Sequence, residues 1–369
     1  MRTIENPISE TLRSLGAEMA PVRNVGGQKS TQTALSFGDV GGELEAIQTS
    51  AALVDLSARG LLAITGADRA AWLHGLCTQE IKGMSSGEGA YACHIDIKGR
   101  IQADMRVSVF EEMILLDLEP GMAAPLRRLF KRFVVMEEVK ISDRSAAAAS
   151  LALVGPAAGQ RLEAVSGLAL TALEAHHLLP ASIFGCEALV CATDQFGPPA
   201  FRVSIARDQY EEVYRGLLAA EGGTRPAGRR ALELARIEAG VPRFGAELGG
   251  DVLFNEAGLD TAVNFNKGCY LGQEVVERVD ARGKVGRKLM GLRIDVPGGG
   301  LPPVGSVVAN SERKLGALTS VGRYGQRVLG MGFLHRADNA PGAAVQVRLA
   351  DSDVTYPGVV VERGQLSSS

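Results

Sequence analysis

The chain has 369 residues, about 46% hydrophobic and 22% charged, which is the composition of a globular protein too long for one ordinary core. Its formal net charge of −3 excludes the basic footprint of a protein that gains affinity by neutralising phosphates. The five cysteines, Cys77, Cys93, Cys186, Cys191 and Cys269, are an odd count with no Cys-x-x-Cys, which argues against a disulfide framework and leaves a zinc or cluster site without a local ligand pair.

Met1–Pro7 has no apolar core of a secretory signal, and no apolar run reaches membrane-spanning length, so a cytoplasmic location with no membrane partner is expected. Residues 1–33 read as a flexible N-terminal segment, polar and Gly-containing from Ser9 to Gln32, with room for a short helix before a loose stretch, and order beginning near Ala34. Residues 34–146 then read as a first α+β unit. Leu61–Thr65 is a short strand and Asp68–Leu76 a helix with Trp72 and Leu73 facing inward. Tyr91–Ile95, Ile101–Phe110 and Met113–Leu118 are strands, the last two joined by a tight turn at Glu111-Glu112. Gly121–Arg132 is a helix whose basic end suits its dipole, and Val135–Ser142 returns as a strand.

Residues 147–282 repeat a similar plan and read as a related second unit. Leu151–Val154 is a strand and Pro156 sits near the start of the next helix. Ala188–Ala192 and Phe201–Ile205 form a hairpin, and Asp208–Leu218 and Arg229–Glu238 are helices. Strands and helices alternating with hairpins imply an α+β, ferredoxin-like arrangement. Across 283–366 short strands separated by Gly and Pro predict a small β-barrel. Ser367–Ser369 is expected to be disordered.

The informative segment is Asn266-Lys267-Gly268-Cys269-Tyr270-Leu271-Gly272-Gln273-Glu274, followed by a helix-like stretch to Arg278. The glycines permit close backbone approach and would set Cys269 beside the first turn of that helix, with Lys267 two residues away. A helix N-terminus and a nearby cation both favour the thiolate. The alternative is a buried structural thiol, the commoner state of a free cysteine. His94-Ile95-Asp96 puts two polar side chains on one strand face with no third or fourth ligand nearby, so no metal site is expected. His176-His177 reads as a solvated loop, and Ser311-Glu312-Arg313-Lys314 as a chance Ser-x-x-Lys match in a turn without companion motifs. No P-loop or dinucleotide fingerprint occurs.

The Lys267–Glu274 segment resembles the K-G-C-[aromatic]-x-G-Q-E signature of the YgfZ family and matches it at every specified position. Ala235–Gly240, Glu256-Ala257-Gly258-Leu259 and Gly316–Ser320 resemble the L-R-x-E-x-G, E-A-G-L and G-x-x-T-S elements of glycine-cleavage T-proteins. Ile97–Asp104 resembles the YgfZ form of their G-G-x-x-D-D stretch. The resemblance implies a T-protein-like body with a central channel for tetrahydrofolate or a derivative, Cys269 as functional thiol with Lys267 beside it, and support of iron–sulfur cluster assembly or repair, including clusters of tRNA-modifying enzymes. Its partners would be folate and iron–sulfur enzymes or assembly factors, with no direct nucleic acid.

On this reading Tyr91, Asp104, Arg236, Glu238, Gly268, Gly272, Gln273 and Glu274 line the folate site. Arg236 would fork onto the carboxylates of the folate tail; otherwise it is a solvated helix charge. Tyr91 would pack on the pterin, or is ordinary core; Asp104 would hydrogen-bond the folate, or is an exposed strand carboxylate. Two departures stand against aminomethyl transfer. Ala103-Asp104 replaces a pair of aspartates. Gly197–Arg202 replaces a G-E-x-G-[aromatic]-E segment, so Arg202 stands where a T-protein has a carboxylate for the pterin, and arginine has no acceptor. The alternative function is a folate-dependent one-carbon transferase or demethylase.

Overall fold

The computed structural model describes residues 5–22, 31–170, 172–283, 285–298, 300–349 and 354–366; Ser367–Ser369 lie outside them. The chain divides into two compact units that do not follow its linear order. The first is Met1–His94, Ala103–Glu233 and Thr261–Tyr270; the second is Ile95–Gln102, Leu234–Asp260 and Leu271–Ser369.

The first unit carries two large sheets, besides a two-stranded one that pairs Glu18–Pro21 with Gln32–Ser36. A five-stranded sheet runs in the order Gly89–Ile95, Ile101–Val109, Met113–Leu118, Gly60–Thr65, Lys140–Asp143. Helices Arg69–His74 and Ala123–Phe130 bury Trp72, Leu73, Leu126 and Phe130, and the Trp72 and Phe130 rings meet edge to face at 5.4 Å. A six-stranded sheet runs Leu178–Ile183, Cys186–Thr193, Ala200–Ala206, Ala148–Val154, Ala52–Asp55, Arg225–Ala227. Helix Tyr210–Ala219 buries Tyr210, Val213, Tyr214 and Leu217, one face at helical spacing, in this sheet's core. The second unit ends in a closed six-stranded barrel filled by alternating residues such as Leu292, Val308, Leu318, Val347 and Val360. The α+β fold and its C-terminal barrel are thus as expected.

Two expectations need correction, and one strand was not anticipated. The short helix is present, at Ser9–Ser14, but this part of the segment through residue 33 is not flexible: Ile8 and Leu12 are fully buried in the six-stranded sheet's core, each contributing roughly 1.5–3 kcal/mol. Val135–Ser142 is not one strand. The Glu137 carboxylate accepts from the Val135 and Met136 amides, which makes a turn with both apolar side chains exposed, and only Lys140–Asp143 pairs. Leu178–Ile183 is a strand that Pro180 concealed; it pairs on one side only, and an edge tolerates proline.

Candidate functional site

Strand alternation decides which side chains meet inside the first unit. Asp104, Arg106 and Ser108 lie at every second position of Ile101–Val109 and so share a face, and Arg106 stands directly opposite Asp117 on the next strand. Tyr91 donates its hydroxyl to Asp104 Oδ2 at 3.1 Å, and Arg106 Nη1 reaches the same oxygen at 3.2 Å. The Arg106 guanidinium also lies 4.6 Å over the Tyr91 ring. Tyr91 and Asp104 are therefore brought together, and Asp104, only 3% exposed, is no surface carboxylate. Burial pushes the Asp104 carboxyl up, against the pull of Arg106.

The same interior holds a second group. Arg202, on the six-stranded sheet, sits with Nη1 2.5 Å from Asp117 Oδ2. Arg59 binds both Asp117 and Glu119, and Gln195 donates to Glu119 at 3.1 Å. Burial raises the Asp117 carboxyl, but Arg202 and Arg59 more than offset it and hold it below the ordinary range. The two sheets thus meet over these charges, beside a cavity of about 840 Å³ that is lined mostly by apolar side chains, with Asp117, Ser108, Arg202 and Ser204 among its polar ones. The position of Arg202 was legible in the sequence; its partners were not. An isolated Asp117 inside Met-Ile-Leu-Leu-Asp-Leu, an apolar strand that cannot bury a charge alone, was the available signal.

His176, expected to be solvated, is only 8% exposed. Its ring lies 6.4 Å from the Tyr91 ring, and its Nε2 is 3.5 Å from Asp194 Oδ1. Burial, with Arg106 and Arg202 adding to it, pushes the imidazole down to about 4, so it is neutral at pH 7. His94 is a core histidine: Nδ1 is 2.7 Å from Leu76 O, and Phe130 and Phe133 pack edge-on to its ring.

Cys269 is exposed, whereas the other four cysteines are buried, so the structural-thiol alternative falls away. Lys267 has partners of its own, which its place beside Cys269 did not show. Its ammonium donates to the carbonyls of His74, Cys77 and Gln79 at 2.6, 2.7 and 2.8 Å and lies 4.9 Å over the Tyr270 ring. All three N–H groups are thereby used on backbone, tying the Thr261–Tyr270 segment down. The helix begins only at Gln273, so Cys269 is not in or beside its first turn along the chain. Gly268 is exposed and has room for a side chain.

In the second unit Arg236 is 3% exposed, not solvated. Nη1 donates to Glu247 Oε2 at 2.8 Å and to Val241 O, Nη2 donates to Ser320 Oγ at 2.6 Å, and Ser320 donates to Glu247 Oε1. The fork expected to hold a folate tail therefore closes an internal triad, because the Gly316–Ser320 strand supplies its hydroxyl. Glu238 is half-buried two positions along the same helix. Gly272 has φ of 81°, and a Cβ there would fall 2.3 Å from Asp96 O, so glycine is required. Gln273 and Glu274 pair one turn on, with Glu277 and Arg278. Among the described residues no three His, Cys, Asp or Glu side chains gather as a metal-binding set, and no helix is long and apolar enough to cross a membrane.

The family model for the GCVT N-terminal domain matches residues 8–267. An aminomethyltransferase of Rubrobacter xylanophilus is 30% identical over 315 residues, covering 85% of this chain and 82% of that protein. A putative chloroplastic transferase of Arabidopsis thaliana, At1g60990, is 26% identical over 315 residues, 85% of this chain and 72% of that protein. The crystal structure of glycine cleavage system aminomethyltransferase T from Bartonella henselae matches with a TM-score of 0.86 at 19% identity, over 98% of this chain and 97% of that one, which shows the fold to be T-protein-like.

Proposed function

This chain belongs to the GCVT N-terminal domain family, and on that premise we propose that it binds tetrahydrofolate or a derivative as an accessory protein of iron–sulfur cluster assembly or repair, rather than as an aminomethyltransferase. Tetrahydrofolate supplies, when bound, ring amines able to carry one-carbon units. The residues present fit it at one end: the Asp104 carboxylate is an acceptor for the donor edge of a pterin, set against the aromatic Tyr91. They do not fit at the other. Arg202 offers donors only and is held by Asp117, and this single observation carries the reading away from transfer.

Cys269 is the thiol assigned to client proteins, since it is the exposed one of five. One accessible thiol is too few to hold a cluster, so any cluster contact is shared with the partner. Clients include cluster enzymes that modify tRNA, and the setting is cytoplasmic. Lys267 holds the segment that carries Cys269. Gly272, Gln273 and Glu274 complete the motif as the start of its helix.

A second reading, one-carbon transfer, is favoured by the aminomethyltransferase names of the relatives. Purified protein assayed with a lipoyl-bound methylamine donor and tetrahydrofolate separates the two. The accessory reading expects no turnover, together with loss of cluster-enzyme activity in a deletion strain. Turnover with intact cluster enzymes would favour transfer.

A further inference from the structure

We propose that His176 is a ligand contact, its Nδ1 being the acceptor that replaces the missing carboxylate by receiving an N–H of the pterin beside Tyr91. The inference rests on the folate reading. Four observations meet at this residue. First, Nδ1 is buried and has no hydrogen-bond partner among the described residues, and such an atom calls for a polar group that the protein does not supply. Second, the ring is set 6.4 Å from Tyr91, tilted by 33°, and Tyr91 is hydrogen-bonded to Asp104. Third, His176 has φ of 69°, a left-handed conformation uncommon outside glycine that persists only where its surroundings enforce it. They do: His176 N donates to Ala192 O at 2.7 Å, Leu178 N donates to Gly87 O at 2.8 Å, and a Cβ on Gly89 would fall 2.1 Å from His176 O. Glycine at 89 is what lets this loop press against the first sheet.

Fourth, the electrostatics keep a lone pair on Nδ1. The Asp194 carboxylate beside Nε2 favours the tautomer with its proton there, which leaves Nδ1 as acceptor. Burial, Arg106, Arg202 and His177 disfavour a second proton, against Asp194 alone. A T-protein carboxylate accepts from the donor edge of a pterin; Arg202 cannot, and a neutral imidazole can.

The test is tetrahydrofolate affinity, by calorimetry, of the parent protein, His176→Phe and His176→Asn. Phenylalanine keeps a ring without an acceptor. Asparagine sets an amide oxygen near the place of Nδ1 and tolerates a left-handed backbone. Affinity is expected to fall about tenfold in His176→Phe, the effect of one lost hydrogen bond to a buried group, and to stay within about threefold of the parent in His176→Asn. His176→Leu replaces the Phe variant if the latter does not fold. If the parent binds and His176→Phe binds equally well, the inference is wrong and the folate reading stands. Equal weakening in Phe and Asn variants also overturns it, because the acceptor then plays no part. If the parent does not bind, the folate reading fails and takes the inference with it.

Discussion

Arg202 Nη1 and Asp117 Oδ2, 2.5 Å apart, join the six- and five-stranded sheets of the first unit through one buried ion pair. Asp117 also anchors Arg59. Replacing both charges of such a pair with apolar groups is often tolerated, whereas removing one strands the other. Asp117→Ala leaves two guanidinium groups without their shared carboxylate and is expected to lower unfolding free energy by about 3–5 kcal/mol. Denaturant unfolding of parent and variant checks this; a loss under about 1 kcal/mol would show that the pair does not hold the sheets.

The same interior makes stability pH-dependent. The folded-state pKa of His176, about 4, lies below the ordinary 6.5, so the native state resists the proton that the unfolded chain accepts. Stability is full above about pH 6.5 and is lost as pH falls toward 4, by about 3 kcal/mol for this residue. Asp117, also lowered, adds a loss that begins only near and below its ordinary value of 3.8. The Asp104 carboxyl, pushed up by burial, acts in the opposite sense, so the His176 part is read as the difference: between pH 7.5, 5.5 and 4.5 urea unfolding should show parent stability falling relative to His176→Asn.

Arg236→Ala is expected to act on the second unit's stability. The change leaves Glu247, whose side chain is 0% exposed, beside Ser320 with its cation gone, at about 3–5 kcal/mol. A melt in which Arg236→Ala matches the parent, with folate affinity alone reduced, would restore Arg236 as a ligand contact.

Cys269 should be the first thiol alkylated. It is exposed, while burial pushes Cys77 up to about 11 and raises Cys93, Cys186 and Cys191 as well. Iodoacetamide labelling of native protein near pH 7.5, with peptide mapping, should find Cys269 modified before the rest. Earlier labelling of any other cysteine contradicts the assignment.

What the sequence made legible was set by short-range physics. Met113–Leu118 and Arg229–Glu238 appear at the expected bounds because periodicity and turn chemistry are local. The pairing of Ala52–Asp55 with Ala148–Val154 was not readable, since strand order depends on contacts far apart in the chain. The site divided in the same way. The motif picked out Cys269, the exposed thiol, but it could not show the backbone carbonyls, 188 or more residues away, that hold the Lys267 ammonium. Arg236 was similarly misjudged, because Glu247 and Ser320 come to it only in the folded unit.

The most direct test of the account is a calorimetric titration of the purified protein with tetrahydrofolate, kept reduced, at pH 7.5. Saturable heat with a Kd between low micromolar and millimolar is expected, about −4 to −8 kcal/mol, weakened by Asp104→Asn. The absence of both heat and a thermal shift at millimolar tetrahydrofolate would contradict it.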